Sequence, residues 1–143
     1  MPHLVILYTP NLEARTDMSG LCRRLADTML TVRDEQDKPV FPTGGVRVLA
    51  YPAAHYAVAD GGAAGKAAGG SGEYGFIYLN LRMGRGRSSA VQQAAGKALE
   101  AAAMAHLAPL LENQHVGVTL QVDEGPEVFD ARNSSLHPLF KKS

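Results

Sequence analysis

The sequence predicts an α+β fold: two successive β-α-β units forming a four-stranded sheet with two helices on one face. Three observations carry this. Apolar runs of strand length occur at residues 3–9, 46–51, 73–83 and 115–122. A stretch with apolar residues at helical spacing separates the first run from the second, and another separates the third from the fourth. Crossovers between parallel strands of one sheet are right-handed, which puts both helices on the same side.

The first strand, residues 3–9, is rich in Leu, Val and Ile and too short for a helix; Pro10 and Asn11 break it. Asp17 is an N-cap, and Leu21, Leu25, Met29 and Val32 then form the apolar stripe of a helix ending near Arg33. The polar run RDEQDKP is its exit loop, and FPTGG supplies turn residues. In VRVLAY, residues Val46, Val48 and Ala50 share one face while Arg47, Leu49 and Tyr51 share the other, as in a second strand. Residues 52–72 are dominated by small side chains that bury little area, so a mobile loop is expected there. EYGFIYLNLRM is the third strand, stopped by GRG. Ser89 and Gln92 have the spacing of a capping box for a long alanine-rich helix carrying Val91, Leu99, Leu107 and Leu111, which Pro109 should kink or shorten. HVGVTLQV alternates as a fourth strand, and the remaining residues read as a loop-like tail with a few apolar anchors.

At 143 residues the chain is long enough to bury a core as one domain, 1–143. Its 14 Lys and Arg balance 14 Asp and Glu, so neither a nucleic acid nor a membrane surface is an expected partner. The single cysteine, Cys22, excludes an intrachain disulfide framework and reads as a small buried hydrophobe. With no signal-like or membrane-length segment, a cytoplasmic location is expected. Strands one and three carry apolar or aromatic residues at consecutive positions, so the sheet face without helices is too apolar for water, and a homo-oligomer is expected to bury it.

The chain starts MPHLVILY, with a proline at the threshold of a strand. Initiator methionine is commonly removed before a small residue, and its removal leaves Pro2 as a rigid secondary amine. A peptide α-amine titrates at roughly 7.7 to 8.0. Burial or neighbouring cations lower that value, so the neutral amine can take a proton near neutral pH.

The fragments MPH, FPTGGVR, ADG, GRGRS with QQAAG after it, and the terminal HPLF occur collinearly over most of the chain. In this it resembles the 5-carboxymethyl-2-hydroxymuconate isomerases, of the tautomerase superfamily built on an amino-terminal proline. The resemblance implies a tautomerase-like homotrimer and an enzyme without metal or organic cofactor. The implied small-molecule substrate is an unsaturated 2-hydroxy or 2-oxo polycarboxylic acid, in which an enzyme of this family moves a proton between carbons during aromatic compound catabolism. It further implies Pro2 as the catalytic base and acid, and Arg47 and Arg87 as substrate-binding residues. Arginine suits that work because its planar fork binds a carboxylate bidentately and keeps its charge. Arg85 stands where the family has a small residue, and either adds a third anion contact or faces solvent. The loops at residues 34–38 and after Gly61 are longer than in the family.

Blander readings stand beside these. GRGRS resembles a phosphate-cradling turn at a helix start but lacks the full glycine pattern and lysine of a nucleotide loop. His3 reads as a strand residue at a subunit contact, and His106 as surface or core. His55, His115 and His137 have no metal-ligand spacing, so no metal site is expected. Tyr8, Tyr74, Phe76 and Tyr78 fit either a pocket wall or a core. The competing functions are a tautomerase for another 2-oxo acid, such as a phenylpyruvate-like compound, and a non-catalytic trimeric binding protein, the latter if Met1 is retained and the proline nitrogen is an amide.

Overall fold

The computed structural model describes residues 2–140. The principal elements are β1 (His3–Tyr8), α1 (Met18–Thr31), β2 (Val48–Pro52), a short α2 (Ala63–Ala67), β3 (Tyr74–Met83), α3 (Ser89–Asn113) and β4 (His115–Glu124). The strands form one sheet in the order β2-β1-β3-β4. β1 runs parallel to β2 and antiparallel to β3, and β3 runs parallel to β4. This is the expected pair of β-α-β units joined through their first strands.

Strand alternation builds the core. Leu4, Ile6 and Tyr8 of β1 and Ile77, Leu79, Leu81 and Met83 of β3 point to the helix side and are buried. Against them lie Leu21, Leu25 and Met29 of α1 and Val91, Leu99, Leu107 and Leu110 of α3. Val116, Val118, Leu120 and Val122 of the edge strand β4 pack on this cluster while half-buried. Cys22 is half-buried at the margin of the core, where burial pushes its thiol up. Tyr8 is pushed up to about 12 by burial and by its hydrogen bond to Glu13. On the opposite face Leu7 is 46%, Leu49 46% and Tyr51 50% exposed, so the side without helices carries an uncovered apolar stripe. No helix among the described residues is long and apolar enough to cross a membrane.

Asp17 caps α1 as expected, accepting from the Gly20 N–H at 2.9 Å. The cap of α3 lies one residue earlier than the box spacing predicts: Ser88 Oγ accepts from Val91 N–H at 3.2 Å and donates to Glu35 at 2.6 Å. The expected box partner Gln92 instead donates to Glu124 at 2.7 Å, because the end of β4 lies beside it. Ser88→Ala should therefore cost about 1 kcal/mol and lower Tm by about 3 °C, whereas Ser89→Ala should leave it unchanged; differential scanning calorimetry on both variants checks this. Nor does Pro109 shorten α3, which continues to Asn113. A proline so close to the end removes one helix hydrogen bond, while Leu107 and Leu110 on either side stay anchored in the core. The Asn113 side chain donates to the Pro109 carbonyl at 2.7 Å.

Residues 52–72 contain α2 rather than only loop. Small side chains give little packing, and polar contacts hold the turn instead. Asp60 accepts from Gly62 and Ala64 N–H at 3.0 Å each, and the Tyr74 hydroxyl accepts from Gly65 N–H at 3.0 Å. Those backbone bonds, with that to Ala64 foremost, hold the Asp60 carboxyl below its ordinary range.

Candidate active site

Strand direction decides what meets at one end of the sheet. β1 and β2 start there, and β3 and β4 end there. Pro2 and His3 lie at the start of β1, and Leu4 N–H donates to the Arg47 carbonyl at 3.1 Å, which fixes Arg47 beside them. His3 pairs in register with Arg82 of β3, whose exit turn carries Gly84, Arg85, Gly86 and Arg87. Gly86 has φ of +111°, a conformation disfavoured for any residue with a side chain, and it turns the backbone between the two arginines.

The segment after β4 closes the cleft. Gly125 N–H donates to the Met83 carbonyl at 2.8 Å, so the chain leaves the sheet at this same end. It then crosses the site and reaches a 3-10 turn, His137–Phe140, packed on Gly44. A Cβ at Gly44 would lie 2.9 Å from His137 Nδ1 and 3.2 Å from Phe140 Cδ2, so the glycine of FPTGG admits the HPLF turn. Two of the collinear motifs thus touch.

The resulting cleft has a volume of about 1130 Å³. Pro2, Arg47, Arg85 and Arg87, the four site residues expected from sequence, all line it. Pro2 is buried and Arg85 exposed at the rim. Arg87 is half-buried: Nη2 donates to the Val40 carbonyl at 3.0 Å, Nη1 to the Gly84 carbonyl at 3.4 Å, and the guanidinium lies 5.3 Å from the centre of the Phe41 ring. Burial, and after it the charge of Arg132, lowers the Arg87 pKa. His3 is likewise held below its ordinary value of 6.5, first by burial and then by Arg47. The cations of this cleft therefore act on groups one residue from Pro2.

Sequence reasoning missed Arg82, Glu127, Asp130 and Arg132, which also line the cleft. Arg82 pairs with Glu127 at 3.2 Å, and Arg132 pairs with Asp130 at 2.8 Å. For Glu127, Asp130 and Arg132 the available signal was the acidic run of DEGPEVFDAR closed by a single arginine. None of Tyr8, Tyr74, Phe76 and Tyr78 lines this cleft, because they occupy the far halves of β1 and β3. Tyr78 instead donates to Gln121 at 2.8 Å. His106 Nε2 lies 2.9 Å from the Asp17 carbonyl and ties α3 to the α1 cap. Among the described residues no group of three or more His, Cys, Asp or Glu is placed to hold a metal ion. Met1, whose removal the sequence reading requires, lies outside the described residues.

Comparison with known proteins bears on this geometry. The chain is 24% identical over 141 residues to the 5-carboxymethyl-2-hydroxymuconate Delta-isomerase of Escherichia coli, covering 99% of this chain and 100% of that one. A crystal structure of a 5-carboxymethyl-2-hydroxymuconate delta-isomerase superposes with a TM-score of 0.97 at 64% identity, covering 100% of this chain and 95% of that one. A 5-carboxymethyl-2-hydroxymuconate isomerase from Deinococcus radiodurans R1 gives a TM-score of 0.78 at 30% identity, over 99% and 95% of the two chains. The sequence profile of the 5-carboxymethyl-2-hydroxymuconate isomerase family matches residues 2–140, and the chain belongs to that family.

Proposed function

We propose that this isomerase moves a proton along a conjugated tricarboxylic acid of the 5-carboxymethyl-2-hydroxymuconate type, with the Pro2 nitrogen as the shuttle. One observation carries the reading: among the described residues, a buried Pro2 shares its cleft with five arginines, Arg47, Arg82, Arg85, Arg87 and Arg132, against two carboxylates, Glu127 and Asp130. The excess of three positive charges matches a substrate with three carboxylates.

After removal of Met1 the proline nitrogen is a secondary amine. Burial and the arginine field disfavour its ammonium form, as they disfavour protonated His3 next to it. The neutral amine takes a proton from the 2-hydroxy group or the carbon conjugated to it. The electron pair enters the conjugated system as a dienolate with its charge on the 2-oxo oxygen. The ammonium then returns the same proton to a different carbon, so no oxidant or reductant is consumed. Arg47 and Arg87 hold carboxylates, and an N–H donor directed at the 2-oxo oxygen stabilises the charge that develops there, an effect often worth about 2.7 to 4 kcal/mol. Arg85 adds a contact at the rim. The uncovered stripe of Leu7, Leu49 and Tyr51 is buried in a homotrimer.

Ultraviolet absorbance during turnover of 2-hydroxydienoates tests this. The triacid should exceed a phenylpyruvate-like monoacid in kcat/KM by about a hundredfold or more, as two further charge-assisted contacts of about tenfold or more each predict. Equal values would favour a tautomerase of another 2-oxo acid. Intact-mass measurement of the protein from its own host should show loss of Met1. A retained methionine would leave the amine acylated and support only the binding role.

A further inference from the structure

The segment beyond β4 contributes two ion pairs to the cleft, and they differ in what they leave available. Arg82 is a strand residue, opposite His3, tied to Glu127 through one Nη2 contact of 3.2 Å. Arg132 belongs to the segment itself. Its Nε and Nη2 both donate to one oxygen of Asp130, Oδ2, at 3.0 and 2.8 Å. A guanidinium has five N–H donors in a rigid plane. Held along its Nε–Nη2 edge, Arg132 keeps the two N–H groups of Nη1, for which no hydrogen bond is found among the described residues. The Asp130 carboxyl is kept below its ordinary range, foremost by the Arg132 hydrogen bonds, so the pair stays ionised at neutral pH. Both residues line the same cleft as Pro2 and Arg87. The charge of Arg132 is felt at Arg87 and that of Asp130 at His3, as expected for groups lining one cleft.

We propose that Arg132 is a specificity-determining arginine that binds one carboxylate of a polycarboxylic substrate, and that Asp130 is the positioning residue that orients it. The inference rests on the tricarboxylate reading above and adds to it a contact supplied by the carboxy-terminal segment. Asp130 fixes the fork in the substrate's absence, so less side-chain freedom is lost on binding. The excess of three positive charges falls to two if Arg132 is removed while Asp130 stays, leaving a triacid undercompensated and a monoacid still satisfied.

Both side chains are about half exposed, so substitution leaves the core intact. Arg132→Gln should raise KM for the triacid about tenfold with kcat unchanged, and leave KM for the monoacid as it was. Arg132→Lys should recover part of the loss, and Asp130→Asn should raise the triacid KM about threefold at unchanged kcat. A triacid KM unaltered by Arg132→Gln, or raised equally for both acids, would overturn the assignment. Calorimetric titration with tricarballylate, an unreactive tricarboxylate, separates this from failure of the activity itself. If the wild type does not turn over the triacid but Arg132→Gln still weakens tricarballylate binding about tenfold, the proposed reaction fails and the anion contact stands. An unchanged Kd would refute the contact.

Discussion

Pro2→Ala should lower kcat by about a hundredfold or more while KM for the triacid changes little. The substitution keeps a small residue after Met1, so methionine removal is expected to proceed and an α-amine is still present. What changes is the amine. A secondary nitrogen fixed by its ring at the start of β1 becomes a primary nitrogen free to rotate about its bond to Cα. Positioned general acid-base groups contribute typically 10² to 10⁴-fold, and misplacement forfeits much of that. Because the arginines still bind the carboxylates, the loss falls on kcat and not on KM. Steady-state kinetics, with Tm measured as a control for folding, reads this directly.

The other large effect belongs to Arg87, which holds the protein together as well as its proposed substrate. Its donors go to the carbonyls of Val40 and Gly84, and its plane covers Phe41. It thus joins the segment before β2 to the turn after β3, the two pieces that deliver Arg47 and Arg85. Arg87→Ala leaves the Val40 carbonyl without this donor and uncovers one face of the Phe41 ring. A stability loss of about 2 kcal/mol is expected, with Tm lower by about 6 °C. KM for the triacid should rise between tenfold and a hundredfold, the range of one charge-assisted contact, and rise far less for a monoacid. Arg87→Lys keeps the charge but not the fork, so it should recover stability only in part and still raise the triacid KM about tenfold. Equal KM effects on the two acids would argue that Arg87 is structural alone.

The regular elements were readable because each rests on its own residues. The alternation in IYLNLRM sets which face of β3 is buried, and Leu21, Leu25 and Met29 mark the inner face of α1 wherever the rest of the chain goes. Pro2 was found at the threshold of the first strand in MPH, and Arg47, Arg85 and Arg87 through the motifs FPTGGVR and GRGRS, whose turns sit at the strand ends that parallel and antiparallel pairing bring together. What was missed depends on contacts distant in sequence. Ser88 and Ser89 are equivalent by composition, and Glu35 and Glu124, from other parts of the chain, separate their roles. Residues 52–72 lack the side chains to order themselves, and Tyr74 of the following strand supplies one of the bonds. Asp130 and Arg132 show no periodicity, and their segment is returned across the site by contacts distant in sequence, Gly125 with Met83, Glu127 with Arg82 and HPLF with Gly44.

The pKa of the Pro2 amine itself, followed by ¹⁵N NMR on protein labelled with ¹⁵N-proline, bears most directly on the whole mechanism. A single titration well below the roughly 7.7 to 8.0 of a peptide α-amine is predicted, moving upward when Arg47, whose charge reaches His3 beside it, is neutralised. An amine titrating at or above 8, or a nitrogen that behaves as an amide and does not titrate, would contradict the proposed proton shuttle.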